Sequence, residues 1–137
     1  MTVPRIPARP TIYAGIKMRS RTEARFAAYL DRLGVPWQYE PEAFASRDGQ
    51  YLPDFVVSAG SAPPIVIEVK PWSAGDDLDG FLATVEATME RMEIVRASIP
   101  DAILFLVFSG SPCQLLMNGA RWEVVTGEDW WGGEAAA

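Results

Sequence analysis

The chain has 137 residues, 49 % of them apolar and 22 % charged, and carries a formal net charge of −6. That composition describes one globular domain long enough to bury a real core, and excludes a chain disordered throughout. No apolar run approaches the roughly 18 residues that span a bilayer, and Met1 to Pro10 holds arginines and prolines without an apolar signal core, so a cytoplasmic location and no membrane partner are expected.

Residues 1–14 are proline-rich and basic and are expected to form a flexible arm, followed by the main domain over 15–127 and a tail over 128–137. A helix is predicted to start at Ser20, whose hydroxyl can cap it, with Glu23 three residues later in capping-box position. Phe26, Leu30 and Leu33, joined by Tyr29, give its apolar stripe, and Gly34 ends it. Trp37 to Phe44 reads as a first strand, Arg47-Asp48-Gly49-Gln50 as a turn, and Tyr51 to Ser58 as a second strand antiparallel to the first. After a loop over 59–64, Ile65 to Val69 reads as a central strand, apolar on both faces. Gly75-Asp76-Asp77 opens a long helix with Leu78, Phe81, Leu82, Val85, Met89, Met92 and Val95 as its buried stripe. Ala102 to Phe108 is a further apolar strand, so strand, helix and strand make a parallel crossover unit. Asn118-Gly119 then marks a hairpin between Leu115–Met117 and Arg121–Val125. In the tail, Trp130 and Trp131 are expected either to pack back on the core or to lie at a subunit interface.

The chemistry concentrates in Asp54, Glu68 and Lys70. In a strand the side-chain period is 2, so Glu68 and Lys70 project from one face and Ile67 and Val69 from the other. Two converging carboxylates can hold a hard divalent cation, and a nearby lysine can orient or activate water, which is the equipment for metal-assisted phosphodiester hydrolysis. The bland alternatives are a strand-initiating aspartate after Pro53 and a Glu68–Lys70 ion pair. The second would be a poor use of a buried strand, because desolvating two charges costs several kcal/mol per ion. There is no histidine, which excludes histidine-dependent nucleophile systems and histidine-ligated metal sites. A metal here must be oxygen-ligated, Mg2+ or Mn2+. The single cysteine, Cys113, fits a reducing compartment.

The charge is unevenly spread. Residues 1–25 hold six basic residues against Glu23 alone, while the rest of the chain holds 17 acidic residues against six basic ones. Lys17, Arg19, Arg21 and Arg25 beside the first helix are candidate phosphate contacts for DNA. Glu23 is explained by capping, but it also lies three and seven residues before Phe26 and Leu30, on the face turned to the sheet. Glu40 is a weaker ligand candidate that reads first as a solvated strand residue, and Gln114 reads first as a surface-loop residue. Trp37, Trp72 and Trp122 are expected as core or interface aromatics, with Trp72 near enough to Lys70 to flank DNA.

Asp54 followed by Glu68-Val69-Lys70, in the order helix, three strands, helix, strand, resembles the PD-(D/E)XK nuclease superfamily, and Pro53 precedes the aspartate here too. The segment from Lys17-Met-Arg-Ser-Arg-Thr-Glu-Ala-Arg-Phe26 through Trp37-Gln-Tyr-Glu-Pro41 to Lys70-Pro71 is similar to small phage-encoded endonucleases and Holliday-junction resolvases. The likeness spans residues 15–110 and leaves out the arm, the hairpin and the tryptophan tail. It implies an α/β fold with a restriction-endonuclease-like αβββαβ core, a mixed sheet flanked by helices and a C-terminal β-hairpin. It implies that Asp54, Glu68, the carbonyl of Val69 and Glu23 hold Mg2+ or Mn2+, that Lys70 orients the attacking water, and that the products carry a 5′-phosphate and a 3′-hydroxyl. A homodimer acting on branched DNA such as a four-way junction is the expected form. A duplex-cutting endonuclease and a nucleic-acid-binding module without the reaction are the alternatives.

Overall fold

Ser20 caps the first helix as its sequence requires: its Oγ accepts the Glu23 N–H at 3.1 Å. The structure is a computed structural model and describes residues 10–72, 75, 77–127 and 130. Ahead of the helix, β1 (Thr11–Tyr13) and β2 (Ile16–Met18) form a hairpin, with Tyr13 opposite Ile16. Its two turn residues, Ala14 and Gly15, have φ of 51° and 78°, the positive values that a tight hairpin with the right-handed strand twist demands. The boundary expected at residue 14 therefore falls inside an ordered unit. Met18 anchors that unit in the core, and residues 1–9 of the expected arm lie outside the described residues.

The helix α1 runs Arg21–Leu33 and ends at Gly34, whose φ of 72° is the left-handed cap that glycine adopts without strain. Its inward face is Ala24, Phe26, Ala27 and Leu30, whereas Leu33, expected in the stripe, lies in the last turn and is exposed.

The two strands expected over 37–44 and 51–58 are each broken. Of the first, only β3 (Gln38–Tyr39) joins the main sheet. Glu40 turns the chain away with φ of 43°, and Pro41 follows. A separate hairpin then forms from β4 (Phe44–Ser46) and β5 (Gly49–Tyr51), closed at Ser46 opposite Gly49. Leu52 and Pro53 separate it from β6 (Phe55–Val57), because a proline has no N–H to give a ladder. Next come β7 (Ile65–Pro71), α2 (Leu78–Met92), a 3-10 turn at Glu93–Ala97 and β8 (Ile103–Ser109). The expected hairpin closes the fold as β9 (Cys113–Met117) and β10 (Trp122–Thr126).

The main sheet has the order β10-β9-β8-β7-β6-β3. The β7–β8 pair is parallel, from Ile65 opposite Ile103 to Pro71 opposite Ser109, and the other pairs are antiparallel. Over the described residues the protein is thus α/β, with a mixed sheet and two α-helices. The period-2 alternation of β7 and β8 divides the core between the two faces. Val66, Leu104, Leu106 and Phe108 face Val85 and Met92 of α2, together with Phe44 and Tyr51 of the small hairpin. Ile67, Val69 and Val107 face Phe26 and Leu30 of α1, with Trp130 closing over them. The Trp130 ring meets Phe26 edge-on at 5.0 Å, so this part of the expected tail packs on the core; Trp131 lies outside the described residues. Each fully buried large side chain contributes roughly 1.5–3 kcal/mol.

On α2 the stripe is narrower than expected. Val85 and Met92 are buried, as is Val95 in the turn beyond, and Phe81 and Met89 pack at the edge. Leu78 and Leu82, in its N-terminal half, are exposed. Among the described residues no helix is long and apolar enough to cross a membrane.

Candidate active site

Asp54 stands one step beyond the last paired position of β6 and β7, Phe55 opposite Ile67, which sets it against Glu68 and Val69. Pro53 cuts the strand, so Asp54 immediately precedes β6, which starts at Phe55. Its carboxylate points inward, leaving the residue only 1 % exposed. The Val69 N–H donates to Asp54 Oδ2 at 2.8 Å, and the Arg19 guanidinium donates to Oδ1 at 2.5 Å. Burial, then the negative charges of Glu68 and Glu23, push the Asp54 carboxyl up to about 8, against the opposing pull of the Val69 N–H and Arg19.

Glu68 lies in the middle of β7 and is 8 % exposed. Its Oε1 accepts the Tyr51 hydroxyl at 2.6 Å, and its Oε2 lies 3.8 Å from Lys70 Nζ. The expected projection of Glu68 and Lys70 from one face is what brings these two charges together, on the face that also receives Tyr51 from the small hairpin. Burial raises the Glu68 carboxyl, while Tyr51, Lys70, Arg91 and Arg19 oppose the rise. Tyr51 in turn is held well above the ordinary phenol range by burial and by the Glu68 charge, so it remains a donor.

Glu23 approaches from the α1 side. The capping box is only half formed: the Glu23 N–H bonds to Ser20, but its side chain turns to the sheet and accepts the Tyr39 hydroxyl. Glu23 Oε2 is 3.8 Å from Arg19 Nη2. Tyr39, at the edge strand β3, also accepts the Arg19 N–H at 3.0 Å. Burial and the bond to Glu23 push the Tyr39 phenol up to about 12.

Arg19 is the hub. Its Nε donates to Glu40 Oε2 at 2.9 Å while its Nη2 holds Asp54. Burial works against the guanidinium, but Tyr39 and the Glu23, Asp54 and Glu40 carboxylates outweigh it and keep Arg19 charged. Arg19 is thus paired with carboxylates, although much of its side chain remains in contact with solvent. Lys17 on β2 and Arg21 at the start of α1 are exposed, and Arg25 is half-buried, its buried Nε without a hydrogen-bond partner among the described residues. Glu40, expected as a solvated strand residue, is an ion-pair partner at the rim.

The structure thus brings Asp54, Glu68, Val69, Lys70, Glu23 and Arg19 together, and leaves Lys17 and Arg21 outside this cluster. Tyr39, Tyr51 and Arg91 are additions. Tyr51 is legible in hindsight as a buried tyrosine needing a partner for its hydroxyl, but nothing in the spacing ties Arg91 to Glu68. Gln114 is a correction. It is buried on β9, where its Oε1 accepts the Phe108 N–H at 2.5 Å and its Nε2 donates to Ser111 O at 3.0 Å. It continues by side chain the β8–β9 ladder that ends at Leu106 opposite Leu115. Trp72, half-exposed beyond Lys70, sits edge-on to Phe81 at 4.9 Å. Trp122 packs at the edge of the α2-side core and donates to Glu93 at 3.4 Å.

Every donor in the cluster is an oxygen, and among the described residues no three acidic side chains gather as a preformed metal cage. Compared with models of known protein families and with curated proteins, the chain matches none.

Proposed function

We propose that the chain is a divalent-metal-dependent DNA endonuclease with a restriction-endonuclease-like core, in the manner of the PD-(D/E)XK nucleases. The observation that carries this reading is the placement of two buried carboxylates, Asp54 and Glu68, against each other at the β6–β7 edge with Lys70 at 3.8 Å from Glu68. Two carboxylates pushed above their ordinary range by burial are an expensive arrangement for stability alone, and such perturbation clusters at functional sites. The donor set suits Mg2+ or Mn2+. Magnesium keeps several waters and takes only one or two carboxylates from a protein, so a cage of three is not required. Asp54 and Glu68 would hold the ion, with the Val69 carbonyl and Glu23 as further ligands. Bound there, it supplies Lewis acidity and a lowered pKa for its water.

The chain's own groups do the rest. Tyr51 fixes the rotamer of Glu68 by donating to Oε1, and the Val69 N–H fixes Asp54 by donating to Oδ2. Lys70, partly exposed, presents its ammonium to the attacking water and to the charge that develops on the phosphate oxygens. The water gives up a proton to solvent as its oxygen bonds to phosphorus, the bond from phosphorus to the 3′ oxygen breaks, and that oxygen takes a proton from solvent, leaving a 5′-phosphate and a 3′-hydroxyl. Within this class we favour branched DNA, such as a four-way junction, cut by a homodimer, since two-fold symmetry suits paired cuts.

A second reading is a nucleic-acid-binding module that keeps the fold without the reaction. One observation favours it: Arg19 already occupies Asp54 Oδ1. Incubating labelled four-way junction and matching duplex with Mg2+, Mn2+ or EDTA separates the readings. Metal-dependent cutting of the junction is expected, lost by at least a hundredfold in Asp54→Asn, Glu68→Gln and Lys70→Ala. Binding without cutting under every condition would favour the second reading, and equal cutting of duplex and junction would remove the preference for branched DNA.

A further inference from the structure

Arg19 lies in the bend between β2 and the α1 cap, yet acidic side chains from three different places converge on it. Glu23 comes from α1, Glu40 from the turn after β3, and Asp54 from the head of β6. Two local features serve this grip. Glu40 adopts φ of 43°, a left-handed conformation that costs a non-glycine residue free energy. Its N–H donates to the Asp54 carbonyl at 2.9 Å, so the residue that binds Arg19 Nε is tied to the backbone of the residue that binds Arg19 Nη2. In addition, the Arg19 N–H is held by Tyr39 Oη, and the same hydroxyl donates to Glu23.

The consequence falls on Asp54. Val69 N–H occupies one of its oxygens and the guanidinium the other. A second positive charge brought to the same carboxylate is repelled by the first, and strongly so where water is excluded. The Arg19 side chain is nevertheless 59 % exposed, so its head can swing into water without opening the core.

We infer that Arg19 is a resident counter-cation that neutralises the acidic site in the metal-free protein and competes with the divalent cation for Asp54. This rests on the metal-site reading of Asp54 and Glu68 given above. It assigns Arg19 a role in setting metal affinity, distinct from the phosphate contact expected from sequence. The guanidinium that metal displaces is left at the mouth of the site, where the substrate phosphates must pass.

The test is direct binding, with no cleavage step. Full-length wild type, Arg19→Met, Arg19→Gln and Asp54→Asn are titrated with Ca2+ by isothermal calorimetry at pH 8.5, where proton competition at the carboxylates is smallest, and melted in EDTA. Arg19→Met keeps the apolar stem and removes the charge, and is expected to bind Ca2+ about tenfold more tightly than wild type. In EDTA it is expected to melt about 3–6 °C lower, since a buried carboxylate has lost its partner. Arg19→Gln retains an amide donor for Asp54 and is expected to show the same tightening with a smaller loss of melting temperature, so the test survives poor folding of the methionine variant. Equal or weaker Ca2+ affinity in both Arg19 variants, with Asp54-dependent binding intact in wild type, overturns the inference and leaves the metal site standing. Absence of Ca2+ binding from wild type and both Arg19 variants overturns the inference and the metal site together.

Discussion

Asp54 and Glu68 are buried acids whose neighbours include more negative charge, and this has a measurable cost in the absence of metal. The sign follows from the direction of the shifts. Asp54 binds its proton more tightly folded, at about 8, than unfolded, at the ordinary 3.8. Its contribution to stability is therefore fully present below pH 4 and is lost as pH rises through 8. Glu68 shifts in the same direction and adds to the loss. In EDTA, wild type is expected to lose on the order of a few kcal/mol between pH 5 and pH 8.5, and Asp54→Asn to lose distinctly less. Urea denaturation at the two pH values checks this, and parallel losses in the two proteins would show that Asp54 does not carry the shift. Replacing a proton by a cation at the same carboxylates reverses the penalty, so metal is expected to stabilise most at the high end of that range.

At the scale of elements, what positions the site is the set of breaks in the chain. Pro53 lies in the break between β5 and β6, and that break delivers Asp54 to the head of β6 while leaving Tyr51 free to cross above Glu68. The left-handed Glu40 similarly ends β3 after only two residues and turns its carboxylate to the rim. The β8–β9 junction is secured differently, by a side chain standing in for backbone. Gln114→Leu is expected to leave the Phe108 N–H buried without an acceptor and to cost about 1–3 kcal/mol. Equilibrium denaturation measures the loss, and a cost near zero would show that water replaces the amide. Because Phe108 lies opposite Lys70 in the parallel pair, loosening here reaches the site from its far side.

Across the whole molecule, the two faces of the sheet divide the labour. The α1 side carries the basic residues Lys17, Arg21 and Arg25, and the α2 face carries Lys70 and, beyond it, Trp72. Asp54 at the edge between them joins the two. An acidic protein that binds DNA must do so through such a local concentration of positive charge, because the net charge of −6 repels phosphate elsewhere. Lys17→Ala and Arg21→Ala are each expected to reduce the slope of log affinity against log salt by roughly one, with similar weakening for every DNA sequence. An unchanged slope in fluorescence anisotropy would place the DNA on another surface.

The amino-acid order by itself determined the elements with strong periodicity or strong caps: α1 from Ser20 to Gly34, the core strands β7 and β8, and the closing hairpin. It also determined the donor chemistry, since a chain without histidine that buries Asp54 and Glu68 can offer a metal only oxygen. These features are local, and local steric and hydrogen-bonding rules suffice for them. Only the tertiary structure decided that Glu23 turns from its cap to Tyr39, that Tyr51 holds Glu68, that Gln114 replaces a ladder bond, and that Arg19 pairs with carboxylates. Each of those pairs joins residues on different elements, or sets a local partner against a distant one. Which partner a long polar side chain takes is settled by where burial leaves an unpaired charge.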